Sequence, residues 1–140
     1  MPEGIVLCDS NLIGGRDHAA YLLTQTAESW SRKLFLARNR SIDLLMRITS
    51  QAQITNAISA SNVARAKNIA LLGLAASNTQ IDQIDHALKS KGAMREDDVL
   101  KMTKNKEKFL RRFHSIPKTI MASQLPSFLA EKSVLLIFDK

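Results

Sequence analysis

The chain is poor in the residues that staple, break or stack. It has one cysteine, Cys8, in 140 residues. A single thiol excludes an internal disulfide framework and any zinc site built from several cysteines. It also makes a reducing, cytoplasmic setting the default expectation. Five glycines and three prolines are too few for a collagen-like or low-complexity chain. No apolar run approaches the roughly 18 residues of a membrane span; the longest is Val134 to Phe138. The opening Met1-Pro2-Glu3-Gly4 carries an acid and no basic flank, unlike a secretory signal. Neither a membrane partner nor a cofactor is expected.

What is present is ordinary for a globular protein. Hydrophobic residues make up 45% and charged residues 24%, which argues against disorder. The length fits one domain, 1–140, on the prior of roughly 100–200 residues each. The net charge of +7 is unevenly spread. Residues 1–87 hold 8 basic and 7 acidic side chains, residues 88–118 hold 10 and 4, and residues 119–140 balance. A concentrated basic segment attracts phosphate polyanions through Coulomb attraction and counterion release. The alternative is a solvated helix face. Aromatic side chains for base stacking are scarce there, and Phe109 and Phe113 are spaced like core anchors.

Patterning predicts an α+β domain with a small, mostly antiparallel sheet packed with several helices. Gly4–Cys8, Leu34–Ala37 and Ile69–Ala76 read as strands, the last buried on both faces. Val134–Phe138 reads as an edge strand or as part of a closing helix from about Leu125. Helices are predicted near Asp17–Ser31, from a Ser41 cap through Ile48, at Ile54–Ile58, from an Asn78 cap to Lys91 with Gly92 after it, at Arg95–Thr103 and at Asn105–His114. Asn62 suits a left-handed turn.

No catalytic constellation stands out. Cys8 lies in an apolar strand without a nearby histidine and reads as a buried inert thiol. His18, His86 and His114 lack the short spacings of metal motifs, and His18 reads as a packing or surface residue. Asp97-Asp98 reads as a helix start. Gly14-Gly15-Arg16 precedes a helix, where backbone amides can hold an anion, but it lacks the phosphate-loop spacing and reads as a turn. Trp30 closes an apolar helix face and reads as core. A binding or scaffold role is favoured over a dispersed enzyme site.

Residues Arg40 to Ile48 (Arg-Ser-Ile-Asp-Leu-Leu-Met-Arg-Ile), followed by Gln53-Ile54 and Ala57-Ile58, resemble the PRPK-binding protein family. Members are the small kinase-binding subunit of the KEOPS complex. Leu12-Ile13-Gly14 before His18 and Lys67-Asn68 before the apolar strand match the same pattern, so the resemblance covers about Gly4 to Ala76. Two positions depart from it: Ala52 stands where a basic residue is frequent, and Asn62 where glycine is usual. The resemblance implies a non-catalytic adaptor without cofactor. It would bind the N-terminal lobe of the small atypical kinase and ATPase of KEOPS, and would meet the other subunits indirectly. That complex makes threonylcarbamoyl-adenosine at position 37 of tRNA, and archaeal members of the family also recruit tRNA by its 3′ CCA end.

Candidate RNA-binding residues are Arg47, Gln53, Lys67, Asn68, Lys104, Lys108, Arg111 and Arg112. The cations are expected to meet phosphates and the amides base edges. Candidate kinase-interface residues are Ile42, Leu45, Met46, Phe128 and Leu129, all of which could equally be core. The competing reading is a stand-alone nucleic-acid-binding domain without a kinase partner.

Overall fold

The structure, a computed structural model, describes residues 4–74, 78–90 and 100–138. Among them are six helices and a two-stranded antiparallel sheet, the α+β architecture expected. Strands β1 (Ile5–Asp9) and β2 (Ile69–Gly73) pair from Ile5 opposite Gly73 to Asp9 opposite Ile69. Side chains alternate across a strand, so Val6 and Cys8 share one face with Ala70 and Leu72. That face is buried. On β2 the other face, Ile69 and Leu71, is exposed or half-buried. The expectation of a strand buried on both faces is corrected: among the described residues nothing fully covers Ile69 and Leu71. Residues 75 and 76 of that predicted strand lie outside the described residues.

The entry to β1 requires glycine. Gly4 has φ +92°, and a Cβ there would stand 2.6 Å from the Leu74 carbonyl oxygen. Its N–H donates to Ser41 Oγ at 2.8 Å. Ser41 is therefore not the helix cap. Asn39 is, its side-chain oxygen accepting from Ile42 N at 3.1 Å.

Helix α1 (Arg16–Ser31) follows a 3-10 turn at Ser10–Leu12. Helix α2 (Arg40–Thr49) is the central element, with every residue from Asp43 to Thr49 buried. It packs on α1, on β1, on α3 (Ile54–Ser61) and on α6 (Leu125–Val134). Ser50 and Asn62 end α2 and α3 in left-handed conformations, with φ 51° and 54°; Asn62 fills that role as its side chain suggested. Helix α4 (Asn78–Ser90) opens at Asn78 and carries a Lys89–Asp85 ion pair of 3.0 Å on its surface. Helix α5 (Lys104–Phe113) is capped by Thr103, which accepts from Lys106 N. Part of the predicted Arg95–Thr103 helix lies outside the described residues, as do Lys91 and Gly92. Its last residue, Thr103, is extended.

One expected strand is absent from its position, and the tail that could be strand or closing helix takes the helical alternative. Leu34–Ala37 is an irregular connection, in which Leu36 N donates to Asp43 Oδ2 at 2.8 Å. A side-chain acceptor thus takes the place of a ladder partner. Leu135–Phe138 is a 3-10 turn that continues α6, so it is not an edge strand. The main core lies between the sheet, α1 and α2. A second cluster, Leu110, Ile116, Leu125 and Leu129, joins α5 to α6, and Phe109 touches both.

Candidate nucleic-acid and partner interfaces

Helix α5 divides its cations by face. Lys106 and Leu110, one turn apart, point inward and are 3% and 0% exposed. Burial pulls the Lys106 ammonium down to about 8, against the opposing pull of Asp9 and Cys8. The other side presents Lys104, Lys108 and Arg112, all exposed. Steps of four residues turn a helix by about 40° and advance it by about 6 Å. The three charges therefore form one gently winding stripe about 12 Å long. Arg111 is not part of it. Its Nε donates to Glu107 Oε1 at 3.1 Å, Nη1 to the Pro117 carbonyl at 3.3 Å and Nη2 to the Ile120 carbonyl at 2.6 Å. It fastens the loop after α5, so its expected place on a phosphate-binding face is corrected.

The segment between α3 and β2 and helix α5 both pack on one corner, the end of β1 and the turn after it. Asn62 Nδ2 donates to Asp9 Oδ2 at 3.0 Å, and Ser10 N donates to the Asn68 carbonyl at 3.0 Å. Lys106 interacts electrostatically with the same Asp9, and α5 packs on the turn Ser10–Leu12. Lys67 and Asn68 are exposed beside this corner, and Gln53 is exposed at the start of α3. Arg47 lies elsewhere. Its side chain is 3% exposed and forms a 2.6 Å ion pair with Asp43. The expectation that it lies on an exposed phosphate-binding face is corrected, because its charge is buried and already met by Asp43.

The expected kinase-facing residues are mostly internal. Leu45, Met46 and Leu129 are 7%, 3% and 1% exposed and belong to the core clusters. Ile42 and Phe128 are half-buried against those clusters. The exposed apolar residues are others. Ile54 and Ile58 stand one turn apart on α3, about half exposed, while Ala57 between them is buried. Val134, Leu135 and Phe138 are also exposed at the end of α6 and in the turn after it, with Phe138 80% exposed, and Leu34 shares a cleft with Val134. Sequence signals for both existed: an apolar pair at i,i+4 on a helix without charge, and the longest apolar run of the chain.

No protein-family model matches the chain, and no curated protein matches it. The family resemblance rests on the residues quoted for it.

Cys8, His18 and His114 are buried, His86 is exposed on α4, and Asp97-Asp98 lies outside the described residues. Cys8 is fully buried, and burial together with neighbouring Asp9 pushes its thiol up to about 12. His18 is 1% exposed and its Nδ1 accepts from Gly14 N at 2.8 Å, so the glycine turn serves the histidine. Burial pulls His18 down to about 4, and His114 down to about 3 with help from Lys132 and His18. Among the described residues no group of three or more His, Cys, Asp or Glu could hold a metal ion. None of their helices is long and apolar enough to cross a membrane. Trp30, expected in the core, is half-buried. It stacks on Phe35, lies under Arg40 and donates its indole N–H to Asp43 at 3.2 Å.

Proposed function

We propose that this chain is a non-catalytic adaptor of the KEOPS type, which binds the small kinase subunit and helps recruit tRNA through its CCA end. The observation that carries the reading is the Lys104–Lys108–Arg112 stripe. It is exposed, has no ion pair among the described residues, and lies on the helix that packs against the Asp9–Ser10 corner beside Lys67 and Asn68. Phosphate contacts from such a stripe position an RNA, and exposed amides such as Gln53 and Asn68 can read unstacked bases. The kinase is expected on exposed apolar residues. Ile54 and Ile58 qualify, since they belong to the stretch that carries the resemblance. The reading implies a cytoplasmic protein that works beside tRNA.

The test has two arms. In the first, tRNA with and without its CCA end is titrated against the protein and against the triple variant Lys104→Glu, Lys108→Glu, Arg112→Glu. Each lost contact should lower the salt slope by about 0.7–0.9, and removal of CCA should weaken binding to the unaltered protein. An unchanged slope makes α5 a solvated face, and indifference to CCA removes the recruiting role. In the second arm, a KEOPS-type small kinase should co-elute with the protein, and Ile58→Asp should reduce co-elution. Binding should resist salt, because energy at stable interfaces concentrates in a few desolvated apolar anchors. RNA binding without kinase binding would leave a stand-alone nucleic-acid-binding domain.

A further inference from the structure

A cleft of about 210 Å³ opens between the second half of α1, the segment after it and the end of α6. Its floor is Arg47, the one buried side chain among those that line it. Two of the three guanidinium nitrogens are committed. Nε donates to Asp43 Oδ1, and Nη1 to Gln25 Oε1 at 3.0 Å. Nη2 is buried and has no partner. The nearby acceptors are already taken: Asp43 Oδ2 by Trp30 and Leu36 N, and Gln25 Oε1 also by Ser133 Oγ at 2.9 Å. An unmet donor of a buried cation is costly, and a ligand acceptor would relieve that cost.

The mouth specifies the ligand further. Arg32 is exposed there without an ion pair among the described residues. The segment 32–42 holds four cations and no acid. Leu34, Val134 and Ile137 supply aliphatic walls. Glu28 is the single acid of the lining, and its charge disfavours a dianion such as phosphate more than a monoanion. We propose that this cleft binds a carboxylate attached to a short aliphatic group, with Arg47 Nη2 and Arg32 as donors. The same chemistry is offered by a free small acid and by an acidic side chain of a partner. The proposal does not depend on the adaptor reading.

Nη2 is almost wholly covered, so binding should shift side chains around the cleft, and the methyl groups of Leu34, Val134 and Ile137 in its lining become the reporters. The experiment is methyl NMR of the full chain titrated with isovalerate, and separately with the uncharged 3-methyl-1-butanol. Saturable shifts at Leu34, Val134 and Ile137 are expected with isovalerate, at a Kd of about 1 mM for a ligand of this size. The alcohol should be at least about tenfold weaker. Arg32→Glu should weaken isovalerate about tenfold, and Val134→Trp should abolish the response by filling the cleft; neither touches the Arg47–Asp43 pair. A blocked Leu-Glu-Leu peptide separates the sources: tighter binding than isovalerate assigns the site to a partner's side chain, and weaker binding assigns it to a free acid. Equal responses to acid and alcohol, a response that survives Val134→Trp, or no saturation by about 50 mM would overturn the proposal and leave Nη2 to a water molecule.

Discussion

Replacing Asp43 by alanine should cost this protein a large part of its stability. The Asp43 carboxylate is fully buried and accepts from three donors: Arg47 Nε, Trp30 Nε1 and Leu36 N. Its loss strands all three and leaves the guanidinium without a counter-charge. Each buried unsatisfied donor costs about 1–3 kcal/mol, and breaking a buried ion pair from one side costs about 3–5 kcal/mol. These overlap, so about 4 kcal/mol is expected. A domain of this size has about 5–15 kcal/mol in total, and Tm should fall by roughly 8–16 °C. The assay is urea unfolding followed by far-UV circular dichroism and by the fluorescence of Trp30, the only tryptophan. The double variant Asp43→Leu, Arg47→Met removes both charges and keeps apolar volume. It should be more stable than the single variant, with a coupling of about 2 kcal/mol or more. A single-variant loss below about 1 kcal/mol, or additive effects, would refute the argument that α2 is organised around this pair.

Acid should destabilise the protein through its histidines. His18 and His114 are held neutral, near 4 and 3, whereas an unfolded histidine titrates near 6.5. The unfolded chain therefore binds more protons below 6.5, and each histidine's stabilisation, complete above that value, is lost as pH falls; by pH 5 the loss is about 2 kcal/mol per histidine. His18→Gln should flatten the fall between pH 7 and 5 in denaturation midpoints, and an unchanged profile would contradict the burial of a neutral ring. Cys8 should label with iodoacetamide at neutral pH only as fast as the chain opens, because its thiol is raised to about 12 and fully covered. Cys8→Val should leave the proposed RNA and kinase binding unchanged; rapid labelling of the folded protein would show that β1 is not sealed.

Local chemistry was legible from the residue order. The β-rich Ile5–Cys8 run, the apolar spacing of α2 and α5 and the left-handed aptitude of Asn62 are properties of short segments. Each predicted its element before any partner was known. The concentration of positive charge in residues 88–118 was equally a matter of counting. What the order of residues could not say is which neighbours would meet. Leu34–Ala37 has strand composition, yet Asp43, seven residues beyond Leu36, captures its backbone N–H and holds it as a loop. Lys106 and Lys108 are two residues apart with the same side chain, and only the docking of α5 on the Ser10–Leu12 turn buries one and exposes the other. Arg47 reads as a surface cation because arginine is seldom buried unless paired. Asp43 stands one turn earlier on the same helix and was in reach of sequence reasoning, but Gln25 belongs to α1, and only the packing of α1 and α6 on α2 buries the pair. Polar side chains follow the partners that tertiary structure supplies, and for that reason the candidate site changed more than the fold.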